Sequence, residues 1–298
     1  MEYKYFICDV FTRTKFSGNQ LAVFPEAQDL SSQQMQQIAR EFNFSESTFV
    51  LPSQAGHTNE VRIYTPDREV PFAGHPNIGT AFALSQDGRF GDLNEPIEVS
   101  FEEKAGIVPV KISRDDSGDI YCELSPPETL SIGRTVPISL IADILSLEVS
   151  EISASVHPPV VASVGLPFLF VEVSTVSSLI KASINIAELH TLTKNHLPTY
   201  IHAYCRNTKG FDLKARMFAP LDGVPEDPAT GSANCALIGL LSSCGQKNNS
   251  TKEWLISQGT EGGRPSILHG RTEKYANHES CIYIGGHCVL VSEGTLTV

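Results

Sequence analysis

Long apolar runs, metal-spaced ligands and an excess of basic residues are all missing from this 298-residue chain. No apolar stretch reaches the roughly 18 residues that cross a bilayer as a helix, so no membrane partner is expected. Lys and Arg number 22 against 34 Asp and Glu, for a net charge of −12. Nucleic-acid binding needs a basic footprint, and none is present. The seven cysteines (Cys8, Cys122, Cys205, Cys235, Cys244, Cys281 and Cys288) contain no C-x-x-C. Odd in number and mostly within apolar runs, they read as buried free thiols in a reducing compartment rather than as a disulfide framework. His190, His196 and His202 stand six apart, which suits neither one helix face nor a local metal site, so no metal is expected. No Walker sequence, G-x-G-x-x-G or G-x-S-x-G occurs, which removes support for nucleotide binding and serine-hydrolase chemistry. The N-terminus runs from Met1 straight into a strand-like segment without a basic-then-apolar leader, and a cytoplasmic location is expected.

What is present is material for real cores: 41% hydrophobic and 19% charged residues. At about 100–200 residues per domain the length suggests two. Strand-like segments fall at 5–11, 20–25, 47–51 and 61–65. A helix is expected over 31–42, where Met35, Ile38, Ala39 and Phe42 share one face behind a Ser31 cap. Another follows at 76–84, then strands at 96–101, 106–112 and 120–124. Ser125-Pro126-Pro127 breaks both kinds of element and is taken as the boundary between units 1–127 and 128–298. The second unit shows helices near 138–145, 174–183 and 232–241, strands near 200–205 and 214–218, and a glycine-containing, strand-rich end from Trp254. The last strand is allowed to return to the first unit.

Two segments about 150 residues apart share a pattern. Arg62-Ile63-Tyr64-Thr65-Pro66 precedes Val70-Pro71, and Arg216-Met217-Phe218-Ala219-Pro220 precedes Val224-Pro225. Each passes through a glycine-containing loop into a helix of small residues. If the two face each other, two helix starts point into one cleft and offer unpaired N–H groups to an anion.

Four residues near these loops can carry chemistry. Glu46, in Phe44-Ser45-Glu46-Ser47-Thr48-Phe49, is either a desolvated carboxylate suited to proton transfer or a solvent-facing strand residue. His75, before Pro76, is either a helix-entrance cap or a hydrogen-bond donor and acid. Asp227, before Pro228, serves equally as a turn residue or a cleft acid. Ser232 caps the helix or holds a substrate oxygen.

At these residues the sequence resembles the PhzF-like family of phenazine-biosynthesis isomerases, within the diaminopimelate-epimerase-like fold. The matching stretches are Phe16-Ser17-Gly18-Asn19, Ser45 to Val50, Pro71 to Pro76, Gly79-Thr80-Ala81, Glu226 to Ala233 and Gly263-Arg264-Pro265-Ser266. The resemblance implies an α+β protein of two pseudo-symmetric domains, each a curved, mostly antiparallel sheet wrapped around a central helix. It implies an inter-domain active site, no cofactor, commonly a homodimer, and a small carboxylate-bearing, anionic metabolite as ligand. Glu46 falls on the family's catalytic glutamate, with His75 and Asp227 as its catalytic partners. Gly74, His75, Asn77, Gly231 and Ser232 are expected to bind substrate. The family's best-understood member isomerises trans-2,3-dihydro-3-hydroxyanthranilate by proton transfer. Racemisation or cyclisation of another metabolite on the same residues, or a non-catalytic ligand-binding role, are the alternatives. The fold also hosts two-cysteine racemases. Here the corresponding loop positions are expected at Ala73 and Pro228, and neither loop holds a cysteine. Gln20 and Asn77 depart from the common family pattern and leave the substrate open.

Overall fold

The computed structural model describes residues 1–276 and 280–298. In chain order the first elements are β1 (Glu2–Val10), β2 (Asn19–Phe24), α1 (Ser32–Phe42), β3 (Glu46–Leu51), β4 (Asn59–Tyr64), β5 (Glu69–Val70) and α2 (Gly74–Gln86). Next come β6 (Ile97–Glu103), β7 (Gly106–Arg114), β8 (Ile120–Leu124), β9 (Ser131–Thr135), α3 (Ile138–Leu145), β10 (Val160–Ser163), β11 (Pro167–Glu172), α4 (Val176–Lys181) and α5 (Ile186–Lys194). The chain ends with β12 (Ile201–Thr208), β13 (Phe211–Ala219), β14 (Val224–Asp227), α6 (Gly231–Gly245), β15 (Ser250–Gln258), β16 (Ser266–Lys274) and β17 (Cys281–Thr297).

These form an α+β molecule around a mixed sheet that closes on itself. β1, β2, β3, β4, β6, β7, β8 and β17 pair in a ring: β2–β3 and β4–β6 are parallel, the other pairs antiparallel. Of the other strands, β5 pairs with β4 and β14 with β13, and the rest run β9–β10–β11–β12–β13–β15–β16 and reach β17 through β16. β17 therefore serves both runs. Cys281–Gly285 pairs with β16, while Cys288–Thr297 pairs with β1 at the opposite end of the sequence.

Two helices fill the sheets. Every residue of α2 from Gly74 to Leu84 is buried, against β1, β2, β3, β7, β8 and β17. Every residue of α6 from Gly231 to Ser242 is buried, against β10, β11, β16 and β17. Their sequences explain this. Neither helix carries Asp, Glu, Lys or Arg, so neither has a face that needs water. A Cβ on Gly79 would sit 2.5 Å from Leu21 Cδ2 and 2.7 Å from Val10 Cγ2, so the absent side chain is what lets α2 lie this close to the strands. Outside the ring, α1 starts as expected: Ser31 Oγ accepts from Gln34 N–H while Ser31 N–H donates to Gln34 Oε1.

The repeated arginines have matching jobs. Arg62 Nε and Nη2 donate to the two carboxylate oxygens of Glu69 at 2.8 and 2.9 Å, clipping β4 to β5. Arg216 makes the same bidentate pair with Glu226 at 2.9 and 2.8 Å, clipping β13 to β14. Each guanidinium lies over the aromatic ring two residues on, Tyr64 and Phe218.

The sequence did not announce β9, β10, β11 or α5. β9 is exposed at all five residues and shows no alternation, and α5 is a short helix started by an Asn185 cap. The helix expected over 174–183 is shorter, Val176–Lys181. Four of the seven free thiols are buried, Cys288 is half-buried, and Cys244 and Cys281 are exposed. No helix among the described residues is long and apolar enough to cross a membrane.

Candidate active site

The starts of α2 and α6 meet. A Cβ on Gly74 would lie 2.5 Å from Ser232 N and 2.7 Å from Gly231 Cα, and one on Gly231 would lie 3.0 Å from Gly74 Cα. Glycine at Gly74 is what permits this approach, and a side chain at Gly231 would press tightly on it. Ala73 and Thr230 are the residues that precede the two helices, and neither side chain caps its helix. The loop positions are therefore Ala73 against Thr230, not Ala73 against Pro228 as the sequence suggested; Asp227 and Pro228 belong to the approach from β14. Two helix N-termini with uncapped N–H groups thus face each other, which is unfavourable between like partial charges and favours an anion held between them.

A cleft opens at this junction. Glu46, Gly74, His75, Asp227, Gly231 and Ser232 all line it. Asn77 does not. It is fully buried one turn into α2, where its Nδ2 donates to the Ala73 carbonyl at 2.9 Å. Asn77 therefore shapes the helix start, and the expectation that it touches substrate is corrected.

Glu46 is the first residue of β3. An aromatic cluster fixes this strand start: Phe42 packs against Phe44, Phe24 and Tyr5, and Phe49 stacks on Phe24. The Glu46 side chain is 18% exposed, and its Oε2 is buried with no hydrogen-bond partner, 3.4 Å from His75 Nδ1. Burial, with the nearby Asp227 charge, holds the Glu46 carboxyl well above the ordinary carboxylate range. Burial pushes His75 the other way, down to about 3, so the imidazole is neutral near pH 7. Its Nε2 is buried without a partner.

Asp227 is held differently. Its Oδ1 accepts from Asn19 Nδ2 at 2.7 Å and Ser45 Oγ at 2.8 Å, and its Oδ2 accepts from Thr230 Oγ1 at 2.5 Å. Burial still raises its pKa, and these three donors oppose the rise. Gln258 braces the loop, its Nε2 donating to the Asp227 carbonyl and Thr230 Oγ1. Asn19 is the hub. It donates to Asp227 and to the Ala229 carbonyl at 2.9 Å, and lies 3.2 Å from His75 Nδ1. The two shorter contacts take its two amide hydrogens, so His75 Nδ1 receives neither of them.

Arg264 fixes Asn19 in turn. Its Nε donates to the Gly18 carbonyl at 2.7 Å and its Nη2 to the Ser17 carbonyl at 2.9 Å, while Nη2 also reaches Asp9. This joins two of the sequence stretches, Phe16–Asn19 and Gly263–Ser266, into one support. Individual reading of the residues missed Asn19, Ser45, Thr230 and Gln258. Ser45 and Thr230 stood beside named residues, and Asn19 stood after a glycine that takes a positive φ of 68°. Gln258 gave no signal. No group of three or more His, Cys, Asp or Glu residues among the described residues is placed to hold a metal.

A buried carboxyl beside a neutral imidazole, next to an anion-friendly pair of helix starts, can pass a proton to and from a bound acid. Comparison with known proteins gives the class: the chain is an isomerase. Residues 8–294 match the model of the phenazine biosynthesis-like protein family, and the chain belongs to that family. It is 32% identical over 295 residues to the trans-2,3-dihydro-3-hydroxyanthranilate isomerase of Pseudomonas aeruginosa, covering 98% of each chain. It is 34% identical over 303 residues to an uncharacterised isomerase of Mesorhizobium japonicum, covering 99% of this chain and 98% of that one. The crystal structure of the Bacillus anthracis phenazine biosynthesis protein of the PhzF family superposes over 100% of both chains, with a TM-score of 0.89 and 25% identity.

Proposed function

We propose that this isomerase shifts a proton within a small carboxylate-bearing metabolite, with Glu46 as the proton carrier. The observation that carries this is the Glu46 Oε2 atom, buried, unpartnered and 3.4 Å from a neutral histidine inside the cleft. The substrate carboxylate sits at the N–H groups of Gly74, His75, Gly231 and Ser232. Glu46 as carboxylate takes a proton from an activated carbon and, as the acid, returns it to another carbon on the same face. His75 and Asp227 hydrogen-bond the substrate and stabilise charge that develops in the transition state. The closed surroundings limit exchange of the carried proton with water.

The proposal extends to the architecture. The units 1–127 and 128–298 are two domains related by pseudo-symmetry, with β17 returning to the first. Supporting this, Ser47 opposes Tyr64 and Ile201 opposes Phe218, and the residues just before Ser47 and Ile201, Glu46 and Tyr200, both line the cleft. Glu46 and His75 then come from one domain, Asp227 and Ser232 from the other.

The first substrate to try is trans-2,3-dihydro-3-hydroxyanthranilate, the compound in the Pseudomonas relative's name. Glu46→Gln should reduce turnover by at least about 10³-fold while the thermal transition stays within a few degrees of wild type. Turnover in heavy water, followed by NMR, should place deuterium at the protonated carbon. Near-normal turnover by a folded Glu46→Gln protein would remove Glu46 from this role.

A further inference from the structure

His202 does not line the cleft, but it ends a line of hydrogen bonds that begins at Asp227. His202 on β12, Asn234 on α6 and Gln258 at the end of β15 are all fully buried. His202 Nε2 lies 3.2 Å from Asn234 Oδ1, and Asn234 Nδ2 lies 2.7 Å from Gln258 Oε1. Gln258 Nε2 lies 3.0 Å from Thr230 Oγ1, which lies 2.5 Å from Asp227 Oδ2.

Backbone groups of known polarity fix the direction of each link. Asn234 Nδ2 also faces the Thr230 carbonyl at 2.9 Å, which can only accept. Gln258 Nε2 also faces the Asp227 carbonyl at 2.8 Å, and its Oε1 faces Thr230 N–H at 3.2 Å. Neither amide can be turned round without setting like against like. Asn234 Oδ1 is therefore an acceptor, and His202 carries its proton on Nε2. Burial pushes His202 down to about 3, so the ring is neutral, and its bare Nδ1 is buried without a partner. The Phe170 ring packs edge-on against it, centroids 5.6 Å apart. Thr230 has one hydroxyl hydrogen. With Gln258 donating into the oxygen, that hydrogen goes to Asp227.

All four bonds thus donate toward Asp227. We propose that Gln258, Asn234 and His202 are positioning residues that lock the Thr230 hydroxyl as a donor to Asp227, which fixes Asp227 as an anion and leaves the mobile proton to Glu46. This rests on the proton-carrier role proposed above. Bonds that donate in one direction polarise one another, so each strengthens the next. A Thr230 hydroxyl free to turn would let Asp227 hold a proton, and two buried carboxyls would then compete for one. The helix start without a carboxylate has no such line: Asn77 Oδ1, the counterpart of Asn234 Oδ1, is buried with no hydrogen-bond partner among the described residues.

The test is read by NMR on the full-length protein and needs no substrate. With the histidine nitrogens isotopically labelled, the His202 signals, assigned by their absence in His202→Phe, should show a neutral ring protonated at Nε2 on both sides of neutral pH. A ring protonated at Nδ1, or a charged ring, overturns the direction of the line. With the aspartate carboxyl carbons labelled, the Asp227 signal, assigned by its absence in Asp227→Asn, should titrate about one pH unit higher in Thr230→Val, a roughly ten-fold weaker acid. Gln258→Met should move it the same way by about half a unit, roughly three-fold. The double variant should move it no further than Thr230→Val, because Gln258 acts through Thr230. Glu46, His75 and Glu226, the titratable groups around Asp227, are unchanged in all of these variants. An Asp227 titration that stays in place in folded Gln258→Met, or two shifts that add, overturns the lock. The wild-type His202 tautomer still tests it where Gln258→Met does not fold. Normal turnover by Glu46→Gln with these shifts present would reject the proton carrier and keep the lock. An inactive Glu46→Gln with the shifts absent would reject the lock alone.

Discussion

Glu46 and Asp227 share one buried site and hold their protons on different terms. Asp227 has three donors to satisfy its charge, and Glu46 Oε2 has none. The charge therefore settles first on Asp227, and its field adds to the burial that raises Glu46. A glutamate so placed is a stronger base when ionised than an exposed one, which is what removal of a carbon-bound proton demands. The sign follows for a pH profile. Ionised Glu46 is the active form, so kcat/KM falls on the acid side as Glu46 gains a proton, at a pH above the ordinary carboxylate range. Asp227→Asn removes the neighbouring charge and should move that limb to lower pH, whatever it does to the maximal rate. A limb that stays in place in a folded Asp227→Asn protein would mean that the two carboxyls do not interact.

At the scale of elements, the junction of α2 and α6 concentrates the design. Glycine elsewhere in a helix costs about 1 kcal/mol relative to alanine. At Gly74 the usual gain from alanine is reversed, because its methyl would meet backbone atoms of Gly231 and Ser232. Gly74→Ala should destabilise the protein by about 1–3 kcal/mol, read from denaturant unfolding. The same variant should raise KM by about ten-fold, because the anion-facing N–H groups are pushed apart. A Gly74→Ala protein as stable as wild type, with unchanged KM, would show that the two helix starts separate freely. Asn77 has a related element-level role. Its bond to the Ala73 carbonyl is matched by Asn234, whose Nδ2 donates to the Thr230 carbonyl at 2.9 Å, so each helix has an asparagine tying its fourth residue back to the residue before it.

For the whole molecule, the closing strand is decisive. Residues Cys288–Thr297 of β17 pair along the full length of β1, and together they complete the ring around α2. Removing residues 288–298 would expose one edge of β1 and uncover a helix with no polar face. The truncated chain should lose its cooperative thermal transition, followed by circular dichroism. A transition within a few degrees of the full chain would show that the ring is dispensable. The same strand also carries β16, so the two runs of the sheet share one covalent and hydrogen-bonded seam, and the cleft between them inherits a fixed geometry on that side.

How much of this was legible follows from what kind of interaction fixes each feature. The chain alone determined the two charge-free helices, the Ser31 start of α1, the paired arginine segments and the small set of residues able to carry acid–base chemistry, because each is written in adjacent residues or a short period. It could not separate a buried Glu46 from a solvent-facing one, since its surroundings include His75 and Asp227, which are distant in sequence. It placed Asn77 in the cleft because sequence proximity to His75 says nothing of the turn of helix between them. It gave no individual role to Asn19 or Gln258, whose partners lie up to some 200 residues away. Composition and local spacing decided which elements form and which side chains were candidates. Only the tertiary structure decided which of those side chains face one another, because hydrogen bonds and desolvation act through space and leave no period in the sequence.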